Sequence, residues 1–199
     1  MFLDLKFEIE LIEIDFKTIE RTHQLNINEL FSLAKNHKIE ANEIIKSNLF
    51  ITAFYRYQTA IRYLIIAQQL DKSEHDHEKR EQNEESKLNE ENKNKIFELK
   101  SILYLNITAC QLKYPNNSHN VIINCTKCLE IDAHNIKALY RRALGYTEIN
   151  ELDLGIEDLQ QALKIESKNK VVEEKLREIE NLRKAQKDKL SNNLKKMFE

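Results

Sequence analysis

A short sequence pattern recurs in the second half of the chain at a spacing of 34 residues. Cys128-Leu-Glu-Ile-Asp132 is followed at that distance by Ala162-Leu-Lys-Ile-Glu166. Val121-Ile122 is matched by Gly155-Ile156 at the same spacing. A unit of this length holds two short helices, and one such unit cannot bury its apolar face alone. The period therefore predicts stacked helix pairs, in which each pair packs on its neighbours.

The composition agrees with helices and excludes several classes of partner. The 199 residues include two glycines and one proline, which leaves little material for hairpins or glycine-rich phosphate loops. Charged residues make up 32% of the chain, but the net charge is −2, so we expect neither nucleic acid nor a membrane surface as partner. The three cysteines lack paired spacing, which indicates a reducing compartment, and a cytoplasmic location is expected.

The hydrophobic pattern changes along the chain. Residues 3–14 alternate apolar and charged side chains, and this period of two predicts a half-buried β-strand. Residues 16–27 are interpreted as a linker, and Asn28 is expected to cap a helix that continues to about Phe54. Residues 71–94 are almost all polar and are interpreted as an insertion, either a solvated helix extension or a loop. Further helices are expected at about 96–113, 119–131, 136–149, 151–165 and 168–197.

Two longer segments resemble a known family. LYLNITACQLK, which ends at Lys113, and LEIDAHNIKALYRRALGY, which ends at Tyr146, are similar to the C-terminal tetratricopeptide (TPR) domain of large FKBP-type immunophilins. The resemblance covers about residues 28–198. It implies an all-α TPR helical-repeat solenoid with three helix pairs and a long C-terminal capping helix. FEIELIEI near the N terminus resembles the last strand of an FKBP domain, so residues 1–15 are interpreted as a short β-strand remnant of that domain.

The family implies a domain division and a register for the first repeat. The three repeats would occupy residues 28–167, and the capping helix residues 168–199. Tyr57-x-x-Ala60-Ile61 resembles the start of the second helix of a repeat, where a small residue lets two helices approach closely.

The resemblance also implies a set of ligand-binding residues. In clamp-type TPR domains, the first helix of each repeat lines a groove that holds the terminal carboxylates of an acidic chaperone tail. Asn106, Lys137 and Arg141 match positions of that clamp, and Asn48 matches if the turn after it is one residue longer than usual. The lysine of the family falls at Ile44, and we expect a lysine restored there to strengthen binding. An arginine fork, a lysine charge and neutral amides are donors suited to carboxylates.

The leading function implied is a co-chaperone adaptor for the acidic C-terminal tail of heat-shock protein 90 or its 70-kDa counterpart. Two alternatives stay open: the non-catalytic part of an FKBP-type peptidyl-prolyl isomerase, and a structural TPR scaffold without a clamp. The chain itself is expected to be no enzyme and to need no cofactor. The basic, amphipathic stretch 184–196 makes a calmodulin-like partner conceivable in addition.

Two short motifs could suggest redox activity or metal binding, but a structural role is favoured for each. Cys125-Thr-Lys-Cys128 falls inside a predicted helix, where small side chains pack between helices, so we favour packing over redox chemistry. His75-Asp76-His77 has no further ligands in register, so a solvated charged segment is favoured over a metal site.

Overall fold

The computed structural model describes residues 25–78 and 90–198, and every regular element in this part of the chain is a helix. The all-α prediction is therefore confirmed, whereas the strand predicted for residues 1–15 lies outside the described residues. The helices are α1 (Ile27–Lys46), α2 (Phe50–Glu78), α3 (Glu90–Gln111), α4 (Ser118–Ile131), α5 (Ile136–Glu148), α6 (Leu152–Ile165) and α7 (Lys170–Phe198). Over the described residues, no helix is long and apolar enough to cross a membrane.

The chain divides into two compact units, with the boundary inside α3. The N-terminal unit ends at Leu103, and the C-terminal unit begins at Tyr104. The polar insertion extends both helices beside it, because α2 continues to Glu78 and α3 begins at Glu90.

In the N-terminal unit, α1 packs along α2 over a set of small and apolar side chains. Alanines allow the two helices to approach closely, and the fully buried ones are Ala34, Ala41, Ala53, Ala60 and Ala67. Asn26 caps α1 instead of the predicted Asn28. Its side chain accepts a hydrogen bond from the Glu29 backbone N–H at 3.0 Å, and the Glu29 carboxylate accepts from the Asn26 N–H at 2.8 Å. Only a cap three residues before Glu29 can form this reciprocal pair.

The first helix is shorter than predicted. It ends at Lys46, and α2 begins at Phe50, so the expected continuous helix to about Phe54 is wrong. The backbone of Asn48 lies in the left-handed region at φ 61°, and its N–H donates to the carbonyl of Ile45 at 2.9 Å. Asparagine tolerates this conformation better than other non-glycine residues, so the chain turns here without glycine or proline.

A left-handed asparagine stands two residues before the second helix of each of the three repeats. Asn48, Asn116 and Asn150 have φ values of 61°, 62° and 66°. Five residues after each asparagine stands a buried residue, and these are Ala53, Val121 and Gly155. Twelve residues after each stands another, fully buried, and these are Ala60, Cys128 and Ala162. The predicted register of repeat one is therefore seven residues late, because Ala53, not Ala60, holds the first small position of the second helix.

In the C-terminal unit, α4 packs on α5, α5 on α6, and α6 on α7. A core formed by α5, α6 and the first half of α7 includes Leu139, Ala143, Leu152, Ile156, Leu159, Ala162, Val172 and Ile179. The predicted capping helix thus covers the apolar face of α6. Gly145 brings α5 close to α4, since a Cβ there would lie 2.8 Å from Ile122 Cγ1 and 3.2 Å from the Ser118 carbonyl oxygen.

Candidate functional site

Arg141 projects from α5 towards α3. Its Nη1 donates to the backbone carbonyl of Leu105 and, at 3.3 Å, to the hydroxyl of Thr108. The Thr108 hydroxyl itself donates to the Leu105 carbonyl at 2.8 Å. The carbonyl and the hydroxyl hold one end of the guanidinium, while its Nε and Nη2 make no hydrogen bond to a described residue. The head group is thus oriented before any ligand arrives.

The charge of Arg141 is partly buried without a counter-charge. No carboxylate of the described residues lies within ion-pair distance of it. Burial lowers the pKa of Arg141, and the nearby thiols of Cys125, Cys110 and Cys128 act in the opposite direction. An arginine stays protonated at neutral pH, so the cost of its desolvation remains in the unliganded protein. A carboxylate ligand would offset that cost.

The adjacent Arg142 has a different environment. Its Nε and Nη2 donate to the two carboxylate oxygens of Asp158 at 2.8 and 2.7 Å, and its Nη1 donates to the Thr126 hydroxyl at 3.2 Å. Hydrogen bonding to Asp158 raises the pKa of Arg142. Asp158 is 5% exposed, so this fork joins α5 to α6 and α4 inside the unit. Of the two arginines, only Arg141 keeps an uncompensated charge.

Lys137 and Arg141 line one opening of about 370 Å³ beside α5. Lys137 is exposed and has no ion pair with a described residue. The rest of the lining is largely apolar and consists of Leu112, Ile136, Tyr140, Leu144, Asn169, Val171 and Val172. The two residues lie four apart on the helix and so share a face. This arrangement can hold an anionic group that carries an apolar neighbour.

Asn106 is the third predicted site residue in this unit. It follows Leu105, whose carbonyl holds Arg141, but it does not line the opening. Asn106 is half-exposed, and its side chain makes no hydrogen bond to a described residue. The structure thus brings Lys137 and Arg141 to one opening and brings Arg141 to the helix turn that carries Asn106.

Asn48, the fourth predicted residue, does not lie on the first helix of its repeat. It is the left-handed residue of the turn between α1 and α2 in the N-terminal unit. The sequence prediction placed Asn48 on that helix on the condition that the turn after it is one residue longer than usual. If the register is taken from Ala53 instead of Ala60 and the turn has its usual length, the same position falls on Asn42.

The register taken from Ala53 brings two further residues into consideration. Asn42 directly follows the buried Ala41, and Lys38 stands four residues before it, which is the spacing that the prediction had assigned to Ile44 and Asn48. Asn42 is exposed, and its Oδ1 accepts a hydrogen bond from the hydroxyl of Tyr57 at 2.7 Å. Lys38 is half-buried and has no ion pair with a described residue. Asn48 as the turn residue was the signal that could have fixed this register.

The three cysteines are free and buried, as the packing interpretation requires. Burial raises the pKa of Cys110 to about 11 and that of Cys125 to about 12, so both are thiols at neutral pH. The described residues contain no cluster of histidine, cysteine and carboxylate side chains that could hold a metal ion. The side chains of His75 and His77 lie outside the described set.

Solved structures of known proteins decide the fold. The C-terminal TPR-containing domain of a putative FK506-binding protein of Plasmodium falciparum superposes with a TM-score of 0.66 at 22% identity, over 83% of this chain and 98% of that one. The Hsp90 co-chaperone Cns1 of Saccharomyces cerevisiae matches with a TM-score of 0.62 at 22% identity, over 84% of this chain and 45% of that one. The fold is the tetratricopeptide repeat. A third TPR domain, the first of Spaghetti (RPAP3), was solved with the HSP90 peptide SRMEEVD and matches with a TM-score of 0.54 at 14% identity, over 79% of this chain and 98% of that one.

Sequence comparison gives relatives of the TPR chain. It is 28% identical over 176 residues to the peptidyl-prolyl cis-trans isomerase FKBP4 of Bos taurus, which covers 87% of this chain and 33% of the relative. It is 40% identical over 79 residues to unc-45 homolog B of Danio rerio, which covers 40% of this chain and 8% of the relative. The similarity to the FKBP-type immunophilins is therefore confirmed, and the chain spans a third or less of these relatives. No family model matches the sequence.

Proposed function

We propose that this TPR chain is a co-chaperone-type adaptor that binds the acidic C-terminal tail of heat-shock protein 90 or its 70-kDa counterpart. The observation that carries the proposal is Arg141, a partly buried guanidinium without a counter-charge that lines an opening together with Lys137. The TPR domain of Spaghetti, which shares the fold, was solved with an acidic HSP90 tail peptide, and this supports the choice of ligand.

The chemistry of such a tail suits these donors. Its last aspartate has two carboxylates, one on the side chain and one at the chain terminus, and each accepts several hydrogen bonds. Arg141 offers the two nitrogens that its contacts with Leu105 and Thr108 leave open. Lys137 adds a mobile charge, and Asn106 adds a neutral donor that does not repel the two cations. The scaffold alternative leaves the uncompensated charge of Arg141 without a purpose.

Lys38 and Asn42 are proposed as the carboxylate donors of the first repeat. They replace Ile44 and Asn48, because α1 ends at Lys46 and Asn48 serves the turn. A residue pair four apart on α1 shares one face of that helix. With this register, all five positions that the resemblance implies hold a suitable donor, and Ile44 is no longer a departure from the pattern.

A titration with a fluorescent Ser-Arg-Met-Glu-Glu-Val-Asp peptide tests the proposal. The peptide with a free C-terminus should bind, and the same peptide with an amidated C-terminus should bind roughly tenfold more weakly or worse, since a charge-assisted contact is lost. A scrambled peptide of equal charge and free terminus controls for non-specific attraction. Equal binding of the free and amidated peptides would contradict a carboxylate site.

The isomerase alternative concerns a longer protein. FKBP4 is an isomerase, but this chain matches 33% of its length. We propose that the chain alone does not catalyse prolyl isomerisation, because the TPR repeat is a binding scaffold. A proline-peptide assay with the purified chain would overturn this if turnover exceeded the uncatalysed rate.

The calmodulin-like partner stays a prediction. Residues 184–197 of α7 are exposed throughout, and Leu190, Leu194 and Met197 lie on one stripe of this basic segment. The expected cytoplasmic location also stays a prediction.

A further inference from the structure

Tyr57 on α2 makes a hydrogen bond to the candidate donor Asn42 on α1. The side chain of Tyr57 is 1% exposed, and its hydroxyl donates to Asn42 Oδ1 at 2.7 Å. Both residues belong to the N-terminal unit. Asn42 Nδ2 makes no hydrogen bond to a described residue. One side of the amide is therefore held from inside the unit, and the other side is open.

The orientation of an amide decides what it can bind. Its oxygen only accepts hydrogen bonds, and its nitrogen only donates them. With the oxygen held by a hydroxyl, the N–H groups face away from the core and can donate to a carboxylate. The flipped amide would present oxygen lone pairs to the same carboxylate and repel it.

We propose that Tyr57 is a positioning residue: by donating to Asn42 Oδ1, its buried hydroxyl holds the amide where Nδ2 can donate to a ligand carboxylate. This inference rests on the proposed function, since it needs a peptide with a free C-terminus as ligand. It goes beyond that function by assigning ligand selection to a residue that the ligand does not touch.

A simpler explanation of the contact is that Asn42 serves Tyr57, and not the other way round. A buried tyrosine hydroxyl needs a hydrogen-bond partner, and Asn42 could exist only to satisfy it. The two roles differ in what removal of the hydroxyl changes. If Asn42 only serves Tyr57, the loss of the hydroxyl affects stability and leaves peptide binding unchanged. If Tyr57 orients Asn42, the loss affects binding of the free-ended peptide specifically.

The variant Tyr57→Phe removes the hydroxyl and keeps the packed ring. We expect the dissociation constant for the free-ended acidic peptide to rise about threefold to tenfold, as for the loss of one neutral hydrogen bond. The dissociation constant for the amidated peptide should stay the same, and so should the thermal midpoint within a few degrees. Tyr55→Phe on the same helix is the matched control, because the hydroxyl of Tyr55 makes no hydrogen bond to a described residue.

A double-mutant cycle with Asn42→Ala completes the experiment. In the Asn42→Ala background, Tyr57→Phe should have no further effect on binding, since the group that it orients is gone. Independent, additive effects would overturn the positioning role, and so would a Tyr57→Phe protein that weakens both peptides equally. If the wild-type protein separates free from amidated peptide but Tyr57→Phe binds like wild type, the inference fails and the proposed function stands. If the wild-type protein does not separate the two peptides, the proposed function fails and the inference fails with it.

Discussion

Repeats one and three use the same turn but hold their candidate donors in opposite ways. In repeat three, Arg141 is a charged fork held against the backbone of α3, next to an arginine that is fully paired inside the unit. In repeat one, Asn42 is a neutral, exposed amide held by one buried hydroxyl. The ion pair between α1 and α2 of that repeat, Glu40 with Arg56 at 3.4 Å, lies at the surface.

In repeat three, the adjacent residues Arg141 and Arg142 of α5 have separate roles: Arg142 stabilises the packing, and Arg141 keeps an unpaired charge. Arg142 and Asp158 fix the position of α5 by a buried pair, which costs desolvation but specifies one packing. Arg141 can then remain unpaired because the helix that carries it does not depend on it. Repeat one has no buried ion pair among its described residues and relies on alanine packing instead.

The largest effect should follow from breaking the buried pair of repeat three. Asp158→Ala leaves the largely buried Arg142 guanidinium without a counter-charge, and we expect the free energy of unfolding to fall by about 3–5 kcal/mol. Urea unfolding followed by circular dichroism measures it. Glu40→Ala in repeat one is the matched control and should cost less than about 1 kcal/mol, because its pair is exposed. Equal losses for the two variants would remove the distinction between the repeats.

The next effect concerns the free charge of repeat three. Arg141→Ala should weaken binding of the free-ended peptide by about thirtyfold or more, because a partly buried partner of the ligand carboxylate is lost. Arg141→Lys should recover part of the affinity, since it restores the charge but not the fork. Added salt should weaken wild-type binding and affect Arg141→Ala less. Wild-type affinity in Arg141→Ala would show that the carboxylate does not bind here.

The donors of repeat one should give a smaller loss and decide its register. Lys38→Ala and Asn42→Ala should each weaken binding of the free-ended peptide about threefold to thirtyfold. Asn48→Ala and Ile44→Lys should leave the dissociation constant unchanged, because both residues lie outside the corrected donor positions. This reverses the expectation from sequence that a lysine at position 44 strengthens binding. A gain with Ile44→Lys and no loss with Lys38→Ala would restore the original register.

The smallest effects should come from the turn asparagines. Asn48→Ala and Asn150→Ala keep the β-carbon but lose the short polar side chain that makes asparagine tolerant of the left-handed region, and each should lower the free energy of unfolding by less than about 2 kcal/mol. Asn150→Ala also removes the hydrogen bond that Asn150 Oδ1 accepts from Gln186 Nε2, so its loss should be the larger of the two. Asn48→Gly should be neutral or slightly stabilising, and Asn150→Gly should recover only the backbone part of the loss. Thermal unfolding of the four variants compares the two turns directly. A cost confined to one repeat would mean that only one of the turns limits stability.

Sequence predicted the C-terminal unit closely because polar residues mark its turns. The helices expected at 136–149 and 151–165 are found at Ile136–Glu148 and Leu152–Ile165. The position of Lys137 and Arg141 on one helix face could be predicted, because they lie four residues apart on this helix. The contacts of Arg141 could not be predicted, because its hydrogen bond to the Leu105 carbonyl joins residues that are 36 apart in the sequence and lie on two helices.

The helix boundary and the register of repeat one could not be predicted from the sequence, for two local reasons. The turn at Ser47 and Asn48 lies between apolar residues and has neither glycine nor proline, so the hydrophobic pattern runs through it. Ala53 and Ala60 are both small, both fully buried and seven residues apart, which is two helical turns. A pattern search cannot tell one from the other, and it chose the later one. As a result, the donor predicted for this repeat, Asn48, falls in the turn after α1 and not on the helix.

Because of where the cysteines lie, thiol labelling can measure the opening of the C-terminal unit alone. All three lie between residues 110 and 128, whereas residues 1–103 contain none. A buried thiol reacts with an alkylating reagent only after the surrounding structure opens, and the raised pKa values suppress its thiolate further. Labelling kinetics on the wild-type protein would therefore measure the opening of the C-terminal unit and would contain no signal from the N-terminal unit. Peptide bound at Arg141, near these thiols, should lower the rate of thiol labelling in proportion to its occupancy.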